Sequence, residues 1–128
     1  MYLKQEPDDF IIQANRAKLL INLKREKEAH AILETLIREY PNETIILNSW
    51  AFSLLKQGFI DKALQNVNKA LKLRPGYAAA YVTRAQIFLA LGEKDKACKD
   101  YTLAQKLGFP IDQLNEESIA LLNRNCDD

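Results

Sequence analysis

The side chains able to do chemistry are few and scattered. Cys98 and Cys126 are the only two thiols, one histidine stands at His30, and Ser49 and Ser53 have no base near them in sequence. Two cysteines do not make a disulfide framework; they can bridge or remain reduced. A lone histidine excludes a His-rich metal site and leaves little for acid–base catalysis at neutral pH. No Gly-rich phosphate loop is present. No catalytic residue, metal site or cofactor is therefore expected. Lys and Arg total 18 against 17 Asp and Glu, a net charge of +1. That balance argues against a dedicated nucleic-acid binder, which carries a basic excess. No apolar run approaches the ~20 residues of a membrane helix. The acidic, polar start is unlike a signal peptide, although a leader could have been removed. The expected location is the cytoplasm, or the periplasm or exterior if the cysteines are bridged and a leader was cut.

The elements that position these residues follow from a repeat. Pro7, Pro41 and Pro75 are spaced by 34 residues, and Pro110 falls one residue late. On that register Ala17, Ala51 and Ala85 share a column, as do Ala29, Ala63 and Ala97. Leu36, Ala70 and Ala104 share another, and so do Lys24, Gly58 and Gly92. Apolar columns recur too: Leu20, Leu54 and Phe88, then Leu33, Val67 and Tyr101. Within a unit the spacing is helical, as in Ala63, Val67, Ala70 and Leu71. Gly58 and Gly92 stand where a helix stops in left-handed geometry. Asp61 and Asp95, three residues on, are placed to cap the next helix. Asp8 and Asp9 are placed likewise before the first. Pro41 and Pro75 end the second helix of their units. Each unit reads as helix, tight turn, helix. The paired alanines, twelve residues apart across the turn, let the two helices approach to ~8 Å. One hairpin cannot bury its apolar face, and three stacked hairpins can.

These residues resemble the tetratricopeptide repeat (TPR), whose signature is W-x2-L-G-x2-Y, then A-x3-F, then P. The middle unit matches best, through Trp50, Ala51, Leu54, Gly58, Ala63, Val67, Ala70 and Pro75. The third follows through Tyr81, Ala85, Phe88, Gly92, Ala97, Tyr101 and Ala104. The first is degenerate: Gln13, Arg16 and Lys24 occupy the Trp, Leu and Gly places. The resemblance implies an all-α fold: a right-handed superhelical stack of three hairpins, one domain over residues 1–128. Repeats are expected at about 10–43, 44–77 and 78–111, with a capping helix at about 115–126. That last segment can also be read as the first helix of a fourth repeat. If it caps, an antiparallel stack brings Cys126 near Cys98, and a bridge there competes with two reduced thiols. His30, in the column of Cys98, reads as a half-buried packing residue. Tyr40, Tyr77 and Phe109 sit at unit ends and read as staples between repeats.

In TPR proteins the first helix of each repeat lines a concave groove. The resemblance places Asn15, Lys18 and Asn22 there, with Ile11, from the first unit. Asn48, Ser49, Phe52 and Lys56, with Leu55, come from the second. Val82, Gln86 and Leu89, with Thr83, come from the third. Amides suit a peptide backbone, while Phe52 suits apolar side chains; Leu55 and Leu89 can equally pack between helices. The carboxylate clamp of one TPR subgroup would need cations or amides at Ala14, Lys18, Ser49, Ala79 and Thr83. Only Lys18 is a cation, so the clamp is not supported. Charge is uneven: residues 44–77 carry a local +4 and residues 112–128 a local −4. Lys62, Lys69 and Lys72 read as a solvated convex face, with an acidic or RNA contact as the alternative. A salt-sensitive head-to-tail dimer, basic middle to acidic end, is a further reading. The leading reading is a non-catalytic module that binds a peptide or helix of another protein as adaptor, assembly factor or chaperone. The alternative is a structural or self-associating repeat segment of a larger assembly, such as a bacterial secretion or pilus system.

Overall fold

A computed structural model describes residues 9–114 together with residues 116, 119, 120 and 126. It contains α1 (Asp9–Asn22), α2 (Glu26–Glu39), α3 (Thr44–Lys56), α4 (Ile60–Leu73), α5 (Ala78–Ala90) and α6 (Lys94–Lys106), then one 3-10 turn at Ile111–Gln113. No strand occurs among the described residues. The helix expected over 115–126 lies largely outside the described residues, as does Asp8 of the expected cap, while Asp9 is the first residue of α1. Within that C-terminal stretch, residues 116, 119 and 120 are helical.

The turns follow from backbone geometry. Lys24, Gly58, Gly92 and Gly108 all take positive φ, between 64° and 99°. At each, two hydrogen bonds close the preceding helix. Gly58 N–H reaches the Leu55 carbonyl and Phe59 N–H the Leu54 carbonyl. Lys24 and Arg25 repeat the pattern on Ile21 and Leu20, and Gly108 and Phe109 repeat it on Gln105 and Ala104. This is the Schellman termination. Lys24 makes the same turn with a side chain that the left-handed region penalises. The turn also moves the expected caps. The cap residues are Phe59 and Glu93, neither with a capping side-chain bond. The next helix starts two residues past the glycine, so Asp61 and Asp95 lie inside its first turn. There they face the positive end of the dipole instead. Between units the chain stops differently. α2 and α4 end with Tyr40 and Arg74, the residues before Pro41 and Pro75, at φ −131° and −142°. α6 ends at Lys106 and closes through Gly108 instead, two residues before Pro110.

Packing bears out the small columns. Ala17, Ala51, Ala85, Ala29, Ala63 and Ala97 are all 0% exposed. Three apolar clusters form, and each borrows from the element that follows its hairpin. Ile46 of α3 joins Leu33 and Leu36 of α2. Ala80 of α5 joins Val67 and Leu71 of α4. Leu114 joins Cys98, Tyr101 and Ala104 of α6. Ile46, Ala80 and Leu114 are again 34 residues apart, so one column forms every junction. Polar links run alongside. Lys69 Nζ donates to the Pro41 carbonyl at 3.1 Å, and Tyr81 Oη to the Pro75 carbonyl at 2.9 Å. His30 lies 4.8 Å from the Trp50 ring, and Gln57 Nε2 lies 2.9 Å from its Nδ1. Buried in the third unit, Asp100 accepts two bonds from Arg84, at 2.8 and 2.9 Å. The same guanidinium donates to Asn68 Oδ1 of α4 at 3.0 Å and stacks near Tyr81 and Phe88.

Candidate functional site

The first helices of the three hairpins lie side by side: α3 touches α1 on one flank and α5 on the other. Together they form a cavity of about 570 Å³. α1 contributes Asn15, Lys18 and Asn22; α3 contributes Phe52 and Lys56; α5 contributes Ala79, Val82, Thr83 and Gln86. These residues recur at three- and four-residue steps, so one face of each helix points the same way. The wall is completed by Tyr77, just before α5, and by Phe109, Gln113 and Leu114 beyond α6.

Eight of the thirteen residues expected in the groove line this cavity: Asn15, Lys18, Asn22, Phe52, Lys56, Val82, Thr83 and Gln86; Ile11 does not. Nor do Asn48 and Ser49. Both are about 1% exposed, because α3 is flanked on both sides and its columns close over. Leu89 and Leu55 pack against the third and second apolar clusters. Phe52 is shared, half-buried against the first cluster while also lining the cavity. The convex lysines Lys62, Lys69 and Lys72 are exposed and lie outside this lining. Sequence reasoning missed Gln113 and Leu114, and read Tyr77 and Phe109 only as staples. The signal was their place at unit ends, where the chain crosses from one hairpin to the next.

Electrostatically the wall is cationic. It holds two ammonium groups and the amides of Asn15, Asn22, Gln86 and Gln113, and no carboxylate among the described residues. Burial lowers the pKa of Lys18 below the ordinary lysine value. Lys56 Nζ sits 5.3 Å from the Phe52 ring centroid. Burial raises the Tyr77 hydroxyl, opposed by a side-chain hydrogen bond with Asn48 and by the charge of Arg74, whose guanidinium lies 4.5 Å from the ring. Asn48 Oδ1 is buried without a hydrogen-bond partner, one open acceptor beside Tyr77. Such a surface offers donors to carbonyl and carboxylate oxygens and apolar seats at Phe52, Val82 and Phe109. No group of His, Cys, Asp or Glu able to hold a metal occurs among the described residues. No helix among them is long and apolar enough to cross a membrane. Cys98 and Cys126 are paired in a disulfide, Cα atoms 5.2 Å apart, next to Leu114 in the third cluster.

The fold and its concave cavity define a helical-repeat stack. Family models for the tetratricopeptide repeat match residues 49–108 and 15–43, and the chain belongs to that family. Protein FlbA of Caulobacter vibrioides is 30% identical over 112 residues, 87% of this chain. The chain spans only 19% of that relative's length. Among solved structures, the first TPR domain of human RPAP3 superposes with a TM-score of 0.71 at 19% identity, covering 92% of this chain and 90% of that one. The first TPR of Spaghetti (RPAP3), bound to the HSP90 peptide SRMEEVD, gives 0.70 at 18% identity, with 95% and 94% covered. The Yersinia enterocolitica type III secretion translocator chaperone SycD gives 0.69 at 16%, with 94% and 83% covered.

Proposed function

We propose that this chain is a non-catalytic protein-interaction module that seats an extended, acidic segment of a partner protein in its concave cavity, as an adaptor, assembly factor or chaperone. The observation that carries this reading is the wall itself: two lysines and four amides, without a carboxylate among the described residues, around the half-buried Phe52. Amides on rigid helices can bond an extended backbone, and a pre-formed site spares the protein the cost of ordering. A partly desolvated Lys18 gains most from a carboxylate that arrives. Similar folds solved with peptides such as SRMEEVD support the mode of binding. The five clamp positions of that subgroup hold Ala14, Lys18, Ser49, Ala79 and Thr83 here, so the acidic segment would be held differently. The paired cysteines favour an oxidising compartment over the cytoplasm.

Pooled fluorescent peptides with fixed acidic or fixed basic positions test this. The acidic pool is expected to bind, more weakly as salt rises. Lys18→Ala with Lys56→Ala is expected to cost about tenfold or more, as charge-assisted contacts do. Equal binding of both pools, or binding that ignores the two lysines, would refute the assignment. Phe52→Glu is expected to abolish capture, with melting recorded alongside to separate its packing role.

The alternative, a repeat segment of a larger assembly, draws on a different observation: the exposed apolar face of α1 at Ile12 and Leu19.

A further inference from the structure

Repeat stacks are built by one junction used again and again, and this chain shows it three times. The column of Ile46, Ala80 and Leu114 is covered each time by the second helix of the hairpin before it, at 0%, 0% and 8% exposure. The first member of that column is Ile12, and it is 63% exposed. The same holds one coil further on. Ser53 and Ile87 are buried, yet Leu19, in their column, is 58% exposed. Leu23 extends the stripe by one turn at 57%. Ile12 and Leu19 fall within about 20° of one another around the helix axis, and Leu23 follows in the turn just past α1. α1 is thus apolar on two faces: Ala14, Ala17 and Ile21 enter the core, and a second stripe faces outward. No described helix covers this face, yet at Ile12 and Leu19 it keeps residues that an internal junction buries in the other units.

We infer that the outer face of α1 is a docking site for an amphipathic helix of a partner, seated as α2 sits on α3 and α4 on α5. The continuity of the column argues for a helix. The chemistry of that helix can be read from the junctions within the chain. α4 covers Ala80 with Val67 and Leu71, four residues apart. Beside Val67, Asn68 accepts a bond from Arg84 of α5 at 3.0 Å. The member of the Arg84 column on α1 is Arg16, exposed between Ile12 and Leu19. The docked helix therefore carries branched aliphatic residues four apart, with an amide or carboxylate next to one of them for Arg16. The corresponding end of a second copy is a poor occupant, since its α6 is already covered by Leu114, Ile119 and Cys126. This face is turned about 90° around α1 from Asn15, Lys18 and Asn22 of the concave cavity, and it does not depend on what that cavity binds.

The test uses the full chain and a fluorescent peptide with the sequence of residues 60–77, stapled on its solvent side so that it is helical before binding. Anisotropy titration is expected to show binding, weakened at least tenfold by Ile12→Glu with Leu19→Glu. Circular dichroism and melting of that exposed-site variant are expected to stay at wild-type values. Amide shift changes are expected at Ile12, Arg16 and Leu19 and not at Phe52, Val82 or Gln86 of the cavity. No binding to the wild-type chain would overturn the inference, as would shifts confined to the cavity. Sedimentation that shows a dimer lost in the double variant would assign the face to a second copy instead. Contacts from residues 1–8 onto Ile12 and Leu19 would assign it to the chain's own start.

Discussion

Replacing Asp100 with Ala removes the centre of the third hairpin's polar network. The carboxylate side chain is 6% exposed and the guanidinium of Arg84 25%. Two bonds at 2.8 and 2.9 Å are lost, and Arg84 keeps only Asn68 and the flanking rings. Breaking a fully buried pair from one side costs about 3–5 kcal/mol, because a charge stays behind without its partner. Arg84 retains some water, so the lower end applies, about 3 kcal/mol. For a chain of this size that lowers the melting temperature by roughly 10 °C. Arg84→Met with Asp100→Leu removes both charges and keeps the volume. That double change is expected to cost less than about 1 kcal/mol, since the attraction roughly offsets the cost of burying both ions. Urea denaturation of the two single variants and the double variant measures the coupling. A loss below about 1 kcal/mol for Asp100→Ala would refute the reasoning. It would mean that the pair behaves as a surface bridge. A second readout follows from position: Val82, Thr83 and Gln86 share α5 with Arg84, so Asp100→Ala is expected to speed amide exchange along that wall of the cavity.

Lys24→Gly relieves left-handed strain of about 1 kcal/mol and adds a smaller entropy cost in the unfolded chain, so a net gain of about 0.5 kcal/mol is expected in urea midpoint. Gly92→Lys, with nothing within 4 Å to clash, is expected to lose stability by strain alone. Lys18 has a folded-state pKa below 10.5, so the unfolded chain binds its proton more tightly. Its contribution to stability therefore rises with pH between that lowered value and 10.5, and Lys18→Met is expected to remove that part of the alkaline slope. Cys126→Ser opens a loop of 28 residues and is expected to cost about 3.6 kcal/mol on the chain-entropy model. Melting with and without a thiol reductant checks it: the wild type falls to the variant's value, and the variant does not respond.

The period of 34 residues carried nearly all of the secondary structure, because each column meets the same neighbours in every unit. Alanines at the crossing points, glycines at positive φ and prolines after the second helices act within a few residues of themselves, and such signals survive in one dimension. Their failures were local as well. Asp61 and Asp95 fell inside the helix because a Schellman turn takes one residue past its glycine, a count that residue type does not reveal. Gly108 carried the same turn as Gly58 and Gly92, yet it lies off their column and passed unread. For the cavity, helix periodicity found the face of α1, Lys56 on α3 and Gln86 on α5. It could not tell Asn15 from Ser49, which share a column, because burial depends on which helices flank it. The Arg84–Asp100 pair has no counterpart in the other units, where those columns hold Arg16 and Trp50, Ile32 and Asn66. No repeat announced it, and only the close approach of α5 and α6 brought the two charges together. Ile12 is the sharpest instance. In sequence it is one more apolar residue in a buried column. Its exposure comes from having no helix beside it among the described residues, and that belongs to the assembled stack.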